Sequence, residues 1–592
     1  MTRICMMILA LIWPMVLCAT DAGVLFSHQG GFYDKPFPIT LTCPKGYAIY
    51  YTINGNTPTI SDLRYERPLL LDQALYSHSD IYTIQCCPDE NWRVPKSIRH
   101  CIVVRAAAFN DDGERMGEVE TNTYFIKSLG NDFHDLPVIS LCVDSLSLFD
   151  CDTGIYVYGE NGANYHQHGR EWERLCNMEF YENDLKGINQ QVGLRLHGNW
   201  TRRGMQKGMK FYARKEYGRS RLHYPFFGKE GNSSFKHLVL RPFASELYGD
   251  HLCTKIGENL NFEIPASRPV VVFLNGEYWG LYFLKERPDD QYIADHFGYN
   301  KEDVNIIESW SGVAAKGNNE GFLRMMRWVM QADMTNDSVY QLACQIIDMD
   351  CFIDYYCFQL FVANTDWPDN NMRCWQAQDG KWRWIFFDGG SCFNSFPQMF
   401  YFTIFSEENQ DVSTYLFTKL LTNACFREQF YQRYGTLLTN EFYTKKTHRL
   451  SDLFFNSIED EIAAHYHRFG PVDYGDQFDF QVALLDDFLK IRIVGAAAMI
   501  YNLYYFNNWE YKGSKSGKHV RFYKSGGKRP VFLFRMAKQF KDWRYVSAYF
   551  SYERFRIRRD FKESSFHRNL KSVKTWKIWK NQTFKNEDLK QN

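Results

Sequence analysis

Beyond its first residues this sequence has no long apolar run: none approaches the roughly 18 uninterrupted apolar residues a membrane-spanning helix requires, so no transmembrane segment is expected in the mature chain. It has no CxxC pair and no cysteine/histidine cluster with zinc-ligand spacing, so no structural metal is expected. It has no surplus of one charge, since 69 Lys and Arg meet 69 Asp and Glu, and the net balance therefore names no partner. Internal repeats are absent as well. What is there is a chain of 592 residues, 45% hydrophobic and 17% aromatic, which describes a globular protein with too much sequence for one core. Two to four domains are expected.

The even balance hides an asymmetry. From Trp509 to Asn592 there are 23 Lys and Arg against 7 Asp and Glu, a local surplus of +16. Residues 507–592 read as a basic C-terminal extension, loosely packed, rich in Gly and Ser and interleaved with aromatics, suited to an anionic surface and reading no specific nucleic acid. At the other end, "MTRICMMILALIWPMVLCATDAG" has a positive charge at Arg3, an apolar run from Ile4 to Leu17 and small residues at Ala19, Thr20 and Ala22. That layout predicts a secretory signal peptide over 1–22 and a secreted or cell-surface protein. Fourteen cysteines remain beyond it, which predicts some disulfides, with Cys344, Cys351 and Cys357 set apart as buried free thiols on an apolar helix.

Residues 23–128 are patterned as β throughout, in short β-branched and aromatic runs such as "ITLTCP", "AIYYTING", "CIVVRAAAF" and "TNTYFI" separated by turn signals. With its Thr57-Pro58-Thr59 turn, this stretch resembles the chitobiase/β-hexosaminidase C-terminal module, an immunoglobulin-like β-sandwich. The resemblance implies a spacer or carbohydrate-adjacent unit without catalytic residues. Residues 136–506 begin with strands and continue with helices expected at Glu246–Leu260, Glu320–Met334 and Ser338–Ala363, an order that predicts an α+β domain with a sheet lobe and a helical lobe.

Inside that second domain, "VVVFLNGEYWGLYFLKERPDD" (Val270 to Asp290) reads as a hairpin turning at Asn275-Gly276, whose second strand runs into Lys285, Glu286, Arg287, Asp289 and Asp290. "NTDWPDNN" places Asp366 and Asn371 five residues apart, directly after an apolar run, and "WRWIFFDGG" is an alternating strand ending at Asp388. Together with "LRLHGNWTRRGMQKGMKFYARKEYG" and "LRPFASELYGDHLCTKIGENL", these segments resemble, in order, the spore-coat CotH kinase family. That likeness implies an atypical protein-kinase-like fold transferring phosphate from ATP, with Mg²⁺, to Ser, Thr or Tyr of secreted or surface proteins. It assigns Lys207 to the nucleotide phosphates, the connection at Glu286 to the nucleotide, Asp366 to the acceptor hydroxyl, and Asn371 and Asp388 to the metal. Read without it, Lys207 is a solvated strand lysine, Asp366 and Asn371 are capping residues after a helix, and the hairpin only completes a sheet.

Two positions depart from the family's pattern: Gly390, where a second acidic residue is common, and Gly249, where Arg commonly precedes Asp250. These favour an alternative reading, a catalytically inactive pseudokinase-like surface or coat scaffold. A third, a cell-surface glycan binder, is raised by Trp200, Trp279 and Trp367.

Overall fold

A computed structural model describes residues 23–506 apart from 77–79, 89–91, 132–135, 161, 230, 244–248, 309–311, 369, 379, 394–411 and 471–474, together with residues 512–513 and 520–521. The signal segment expected over 1–22 lies outside the described residues. So does the basic extension over 507–592, apart from the paired strands Lys512–Gly513 and Val520–Arg521.

The chain forms two compact units. The first comprises Met1–Arg195, Lys215–Arg219 and Val271–Gly280; the second comprises Leu196–Arg214, Ser220–Val270 and Leu281–Asn592. In the first unit, strands β1 (Gly31–Tyr33), β2 (Ala48–Thr52), β3 (Leu63–Arg64), β4 (Ile102–Phe109) and β5 (Arg115–Ile126) make one sheet in the order β1-β5-β4-β2-β3. The sequence of β4 explains its central place. Ile102, Val104, Ala106 and Ala108 alternate into one apolar layer with Ile39, Leu71, Tyr124 and Ile126, while Ala107 and Phe109 pack the opposite face with Val119. Arg105 is buried in the same strand without loss, because its guanidinium donates to the Gly55 carbonyl at 2.6 Å and the Thr121 hydroxyl at 3.2 Å.

This unit continues past the boundary expected between 128 and 136. Strand β6 (Val138–Cys142) pairs antiparallel with β7 (Arg174–Glu182), which pairs in turn with β8 (Leu185–His197), and β6 pairs parallel with residues 271–274 of β11 (Ser267–Leu274). The Thr123 hydroxyl of β5 donates to the buried Glu179 carboxylate of β7 at 2.5 Å, and Phe125 packs edge-on against Phe273. The turn at Asn275-Gly276 has φ of 52° and 85°, as the type I′ reading requires. Asn275 does more than tolerate that conformation: its fully buried amide accepts from Val143 N at 2.9 Å and donates to Val143 O at 2.8 Å, pairing like backbone.

The second unit holds the polar sheet described below and most of the helices: α1 (Gly249–Gly257), α2 (Asp290–Phe297), α3 (Glu320–Gln331), α4 (Asp337–Ile346), α5 (Met349–Val362), α6 (Val412–Leu420), α7 (Ala424–Thr439), α8 (Thr444–Phe469) and α9 (Gly475–Phe506). An N-terminal β-rich part with an immunoglobulin-like module is thus followed by a kinase-like α+β region. No helix among the described residues is long and apolar enough to cross a membrane.

The helix expected over Ser338–Ala363 is two, α4 and α5. Between them Ile347 ends the first helix, Asp348 N donates to Trp382 O at 3.0 Å, and the Asp348 carboxylate caps the second by accepting from Cys351 N. Thirteen of the fourteen residues of α5 are buried, which makes it the central helix of this unit. Tyr356 stacks on Phe417 and Phe361 on Phe442, with ring centroids 4.5 and 4.3 Å apart. The helix expected at Glu246–Leu260 is described from Gly249 to Gly257, its first three residues lying outside the description.

All fourteen cysteines beyond residue 22 are free thiols, so the expected disulfides are not formed. Cys351 and Cys357 are free and buried on α5 as expected, whereas Cys344 is free but only half-buried and stands on α4. Ten of the fourteen are buried, where a thiol packs as a small hydrophobe.

Two buried histidines make the second unit acid-sensitive. His465 on α8 accepts from Leu281 N through Nδ1 at 3.1 Å, which requires the neutral ring. Burial, with Arg468 adding to it, pushes His465 down to about 3, and burial likewise pushes His251 down to about 3. For a histidine depressed below its ordinary 6.5, folding stability is fully present above that value and is lost as pH falls toward 3. Each ring should cost about 1.4 kcal/mol per pH unit in that window. Melting temperature is expected to fall steadily between pH 6.5 and 4.5, and His465→Gln should flatten the slope. A pH-independent melting temperature over that window would contradict this.

Candidate functional site

Register decides which side chains meet. Strands β9 (Gly208–Tyr212), β10 (His237–Pro242) and β12 (Glu277–Lys285) pair antiparallel, with Lys210 opposite Val239, Val239 opposite Lys285, Tyr212 opposite His237 and Arg241 opposite Phe283. Opposed residues share a face and neighbours along a strand alternate. Lys210, His237, Arg241 and Lys285 therefore stand on one face, while Met209, Phe211, Leu238, Leu240 and Leu284 make the other, apolar one. The sheet is a basic plate with a greasy back.

Each cation on the plate meets a carboxylate. Lys285 pairs with Asp250 at the start of α1, and Asp250 also accepts from Gly389 N at 3.1 Å. Burial alone would raise the Asp250 carboxyl, yet Lys285, Arg241 and the Gly389 amide together hold it below the usual range. Arg241 Nη2 lies 3.0 Å from Asp388 Oδ1. His237, Arg287 and Lys210 converge on Asp289, at 2.8, 3.6 and 4.0 Å. His197 is pushed well below its ordinary value by burial and then by Arg241, Arg287, Lys210 and Arg202, so it stands neutral within this cluster.

The facing loops are placed by the core helix. The α5 helix ends at Ala363 in the left-handed region, and the chain leaves through Asn364, which is fully buried. Its Nδ2 donates to Gln359 Oε1 at 3.0 Å and its Oδ1 accepts from Asp366 N at 3.2 Å, so the first turn of the loop is anchored to the helix. Asp366 is exposed at its tip. Asn371 returns with φ of 52°, its Nδ2 3.5 Å from Asp366 Oδ2 and 3.4 Å from Asp388 O, and Asp388 itself has φ of 59°. The structure thus brings together Asp366, Asn371 and Asp388, opposite the basic plate.

Lys207 and Glu286 are not in this group. Lys207 is fully buried, and its Nζ donates to the carbonyls of Arg202 and Gly204 at 2.7 and 2.8 Å; it ties down the loop that Arg202 also closes through Gly198 O and Leu196 O. The Glu286 carboxylate accepts from Ala266 N at 3.1 Å and lies 2.8 Å from His296 Nε2. It borders a shallow, open depression lined also by His237, Arg287, Tyr292 and His296. Of the aromatics considered for glycans, Trp279 and Trp367 are buried and present no platform. Lys210, Arg241 and the Lys285–Asp250 pair escaped sequence reasoning; the signal that could have found them is the alternation of charge along "KGMKFYARK" and "HLVLRP" once their pairing is known.

Asp366, Asn371 and Asp388 offer two carboxylates and an amide oxygen, hard ligands of the kind Mg²⁺ takes. The donor set fits that ion. The two glycines that depart from the family pattern touch: a Cβ at Gly249 would sit 2.3 Å from Gly389 O and 3.7 Å from Gly390 Cα. No side chain fits at 249 while the Asp388–Gly390 loop keeps its place. Gly249→Ala is expected to cost about 1–3 kcal/mol of stability and to weaken Mn²⁺ binding as the loop is pushed out; thermal melting and metal titration check both, and a variant with parental values in each would show the contact to be unimportant.

A family model described as CotH kinase protein matches residues 194–494, half of the chain, and a second, the chitobiase/beta-hexosaminidase C-terminal domain, matches residues 28–85. The chain belongs to the CotH kinase family. No curated protein matches it. The CotH match spans every residue of the basic plate and of the facing loops, and the chitobiase-type match falls within the N-terminal sandwich. The kinase-like region is therefore the place to look for chemistry, and the sandwich fits carbohydrate association.

Proposed function

We propose that this CotH-family chain is an exported, ATP-dependent protein kinase that uses Mg²⁺ and phosphorylates hydroxyls of secreted or surface proteins. The observation that carries the reading is the opposition of the basic plate to Asp366, Asn371 and Asp388. Phosphoryl transfer asks for cations on the phosphates, oxygen ligands for a metal and a carboxylate at the acceptor hydroxyl, and these are the groups assembled. Mg²⁺, when bound, neutralises charge on the phosphate oxygens.

Asp388 and Asn371 would hold the metal, with Asn371 fixed by the Asp388 carbonyl. Asp366, exposed at the loop tip, would take the proton of the acceptor hydroxyl. Lys210 and Lys285 supply the strand cations, and Lys207 supports the plate by fixing its neighbouring loop instead of reaching the phosphates. Glu286 positions the connection after β12 through Ala266 and His296.

Calorimetric titration of the mature chain with an ATP analogue, with and without Mg²⁺, followed by phosphate incorporation into a mixed protein substrate, tests the reading. Metal-dependent binding and incorporation are expected. Gly390 and Gly249 favour the second reading, a pseudokinase-like scaffold; a chain that binds no nucleotide with or without metal would leave that reading standing and remove the kinase.

A further inference from the structure

Arg241 has a position that the kinase reading leaves without a task. Lys285 is engaged with Asp250, and Lys210 and His237 share Asp289 with the neighbouring Arg287, whereas Arg241 pairs with a proposed metal ligand, Asp388. Its side chain is 15% exposed and that of Asp388 is 37% exposed, so the pair lies at the mouth of the cleft with the carboxylate on the open side. The Arg241 charge also helps to hold the Asp250 carboxyl below its usual range and the His197 ring neutral.

A guanidinium on a carboxylate and a divalent cation on the same carboxylate repel each other, so metal binding at Asp388 works against this ion pair. A nucleotide changes the balance. Its phosphates bring more negative charge than one carboxylate, and they match the planar fork of an arginine, which can donate two parallel hydrogen bonds. We propose that Arg241 is a place-holder cation: it neutralises Asp388 in the nucleotide-free protein, gives it up when a metal–nucleotide complex binds, and turns its guanidinium to the nucleotide phosphates. This rests on the kinase reading above and adds to it a residue and an order of events.

The proposal makes two shifts of opposite sign. In Arg241→Gln, Mn²⁺ alone should bind about 3- to 10-fold more tightly, because Asp388 no longer has a competing partner. A non-hydrolysable ATP analogue with Mn²⁺ should bind about tenfold more weakly or worse, because a charged donor to the phosphates is gone. Mere structural damage would weaken both. Electron paramagnetic resonance of free Mn²⁺ measures the first quantity and calorimetry the second, on the full chain, with melting curves as the folding control.

Arg241→Lys covers the case in which the glutamine variant does not fold: a point cation keeps Mn²⁺ affinity near the parental value and lowers analogue affinity by losing the fork. Unchanged or weakened Mn²⁺ binding in Arg241→Gln, or unchanged analogue binding in both variants, would overturn the proposal while leaving the kinase reading intact if the parent binds the metal–analogue complex. A parent that binds no analogue would overturn both.

Discussion

Asp388→Asn and Asp366→Asn are expected to fail in different ways. Asp388 stands on the loop that Gly389 ties to Asp250, paired with Arg241 and within reach of Asn371 through its carbonyl. Removing its charge removes a metal ligand while keeping the shape of the side chain, so metal-dependent nucleotide affinity should drop by roughly 10- to 100-fold, and turnover with it. Asp366 is exposed, and its contact with Asn371 Nδ2 is a long 3.5 Å, so the asparagine variant should fold as the parent does. Its nucleotide affinity should hardly change, whereas transfer should fall by about 10²- to 10⁴-fold, because a proton acceptor acts in the transition state and not in nucleotide binding. Nucleotide titration beside phosphate incorporation for the parent and both variants separates the roles. Transfer at the parental rate in Asp366→Asn would remove that residue from the chemistry even with the family unchanged.

Lys285→Met should produce the largest loss of stability. Asp250 is 1% exposed and Lys285 is 7% exposed, so each charge depends on the other. Truncating one partner of a buried ion pair leaves the second uncompensated and costs about 3–5 kcal/mol, more than the pair itself contributes. Asp250 would keep the Gly389 amide and the field of Arg241, which is not enough to replace a contacting ammonium. The melting temperature should drop by several degrees, the shift per kcal/mol in a unit this large being below the roughly 2–4 °C of domains of about 150–250 residues. The double variant Lys285→Met/Asp250→Leu should recover part of the loss, since it removes the orphaned charge. If the single variant melts with the parent, the pair carries no such weight, and if the double variant is no better than the single one, the orphaned-charge explanation is wrong.

Much of this architecture was legible without coordinates because it depends on neighbours in the chain. The β-branched and aromatic run Ile102–Phe109 announced a strand, Asn275-Gly276 announced the kind of turn that puts positive φ at two successive positions, and the apolar run to Ala363 announced a buried helix. The motifs that carry Asp366, Asn371 and Asp388 were visible as text, but the strand expected to end at Asp388 covers only Arg383–Trp384, and Asp388 stands in the loop that follows, with φ of 59°. The single helix expected over Ser338–Ala363 came from apolar spacing that continues through Ile347; the interruption depends on Trp382, which pairs there from a distant part of the chain.

What the sequence determined by itself, then, was local: which segments alternate with period 2 or 3.6, where they turn, and which short motifs carry carboxylates in a fixed spacing. Tertiary structure alone decided which cations face those carboxylates. Lys207 and Lys210 are three residues apart in one charged stretch and look equivalent as text. The β9 register puts Lys210 on the polar face beside Asp289, whereas Lys207, just before the strand, turns inward onto the Arg202 and Gly204 carbonyls. Arg241 and Asp388 are 147 residues apart. Nothing in either one's neighbourhood signals the other, because an ion pair depends on distance in space, and that distance is set by how β10 and the Asp388 loop pack in the folded unit.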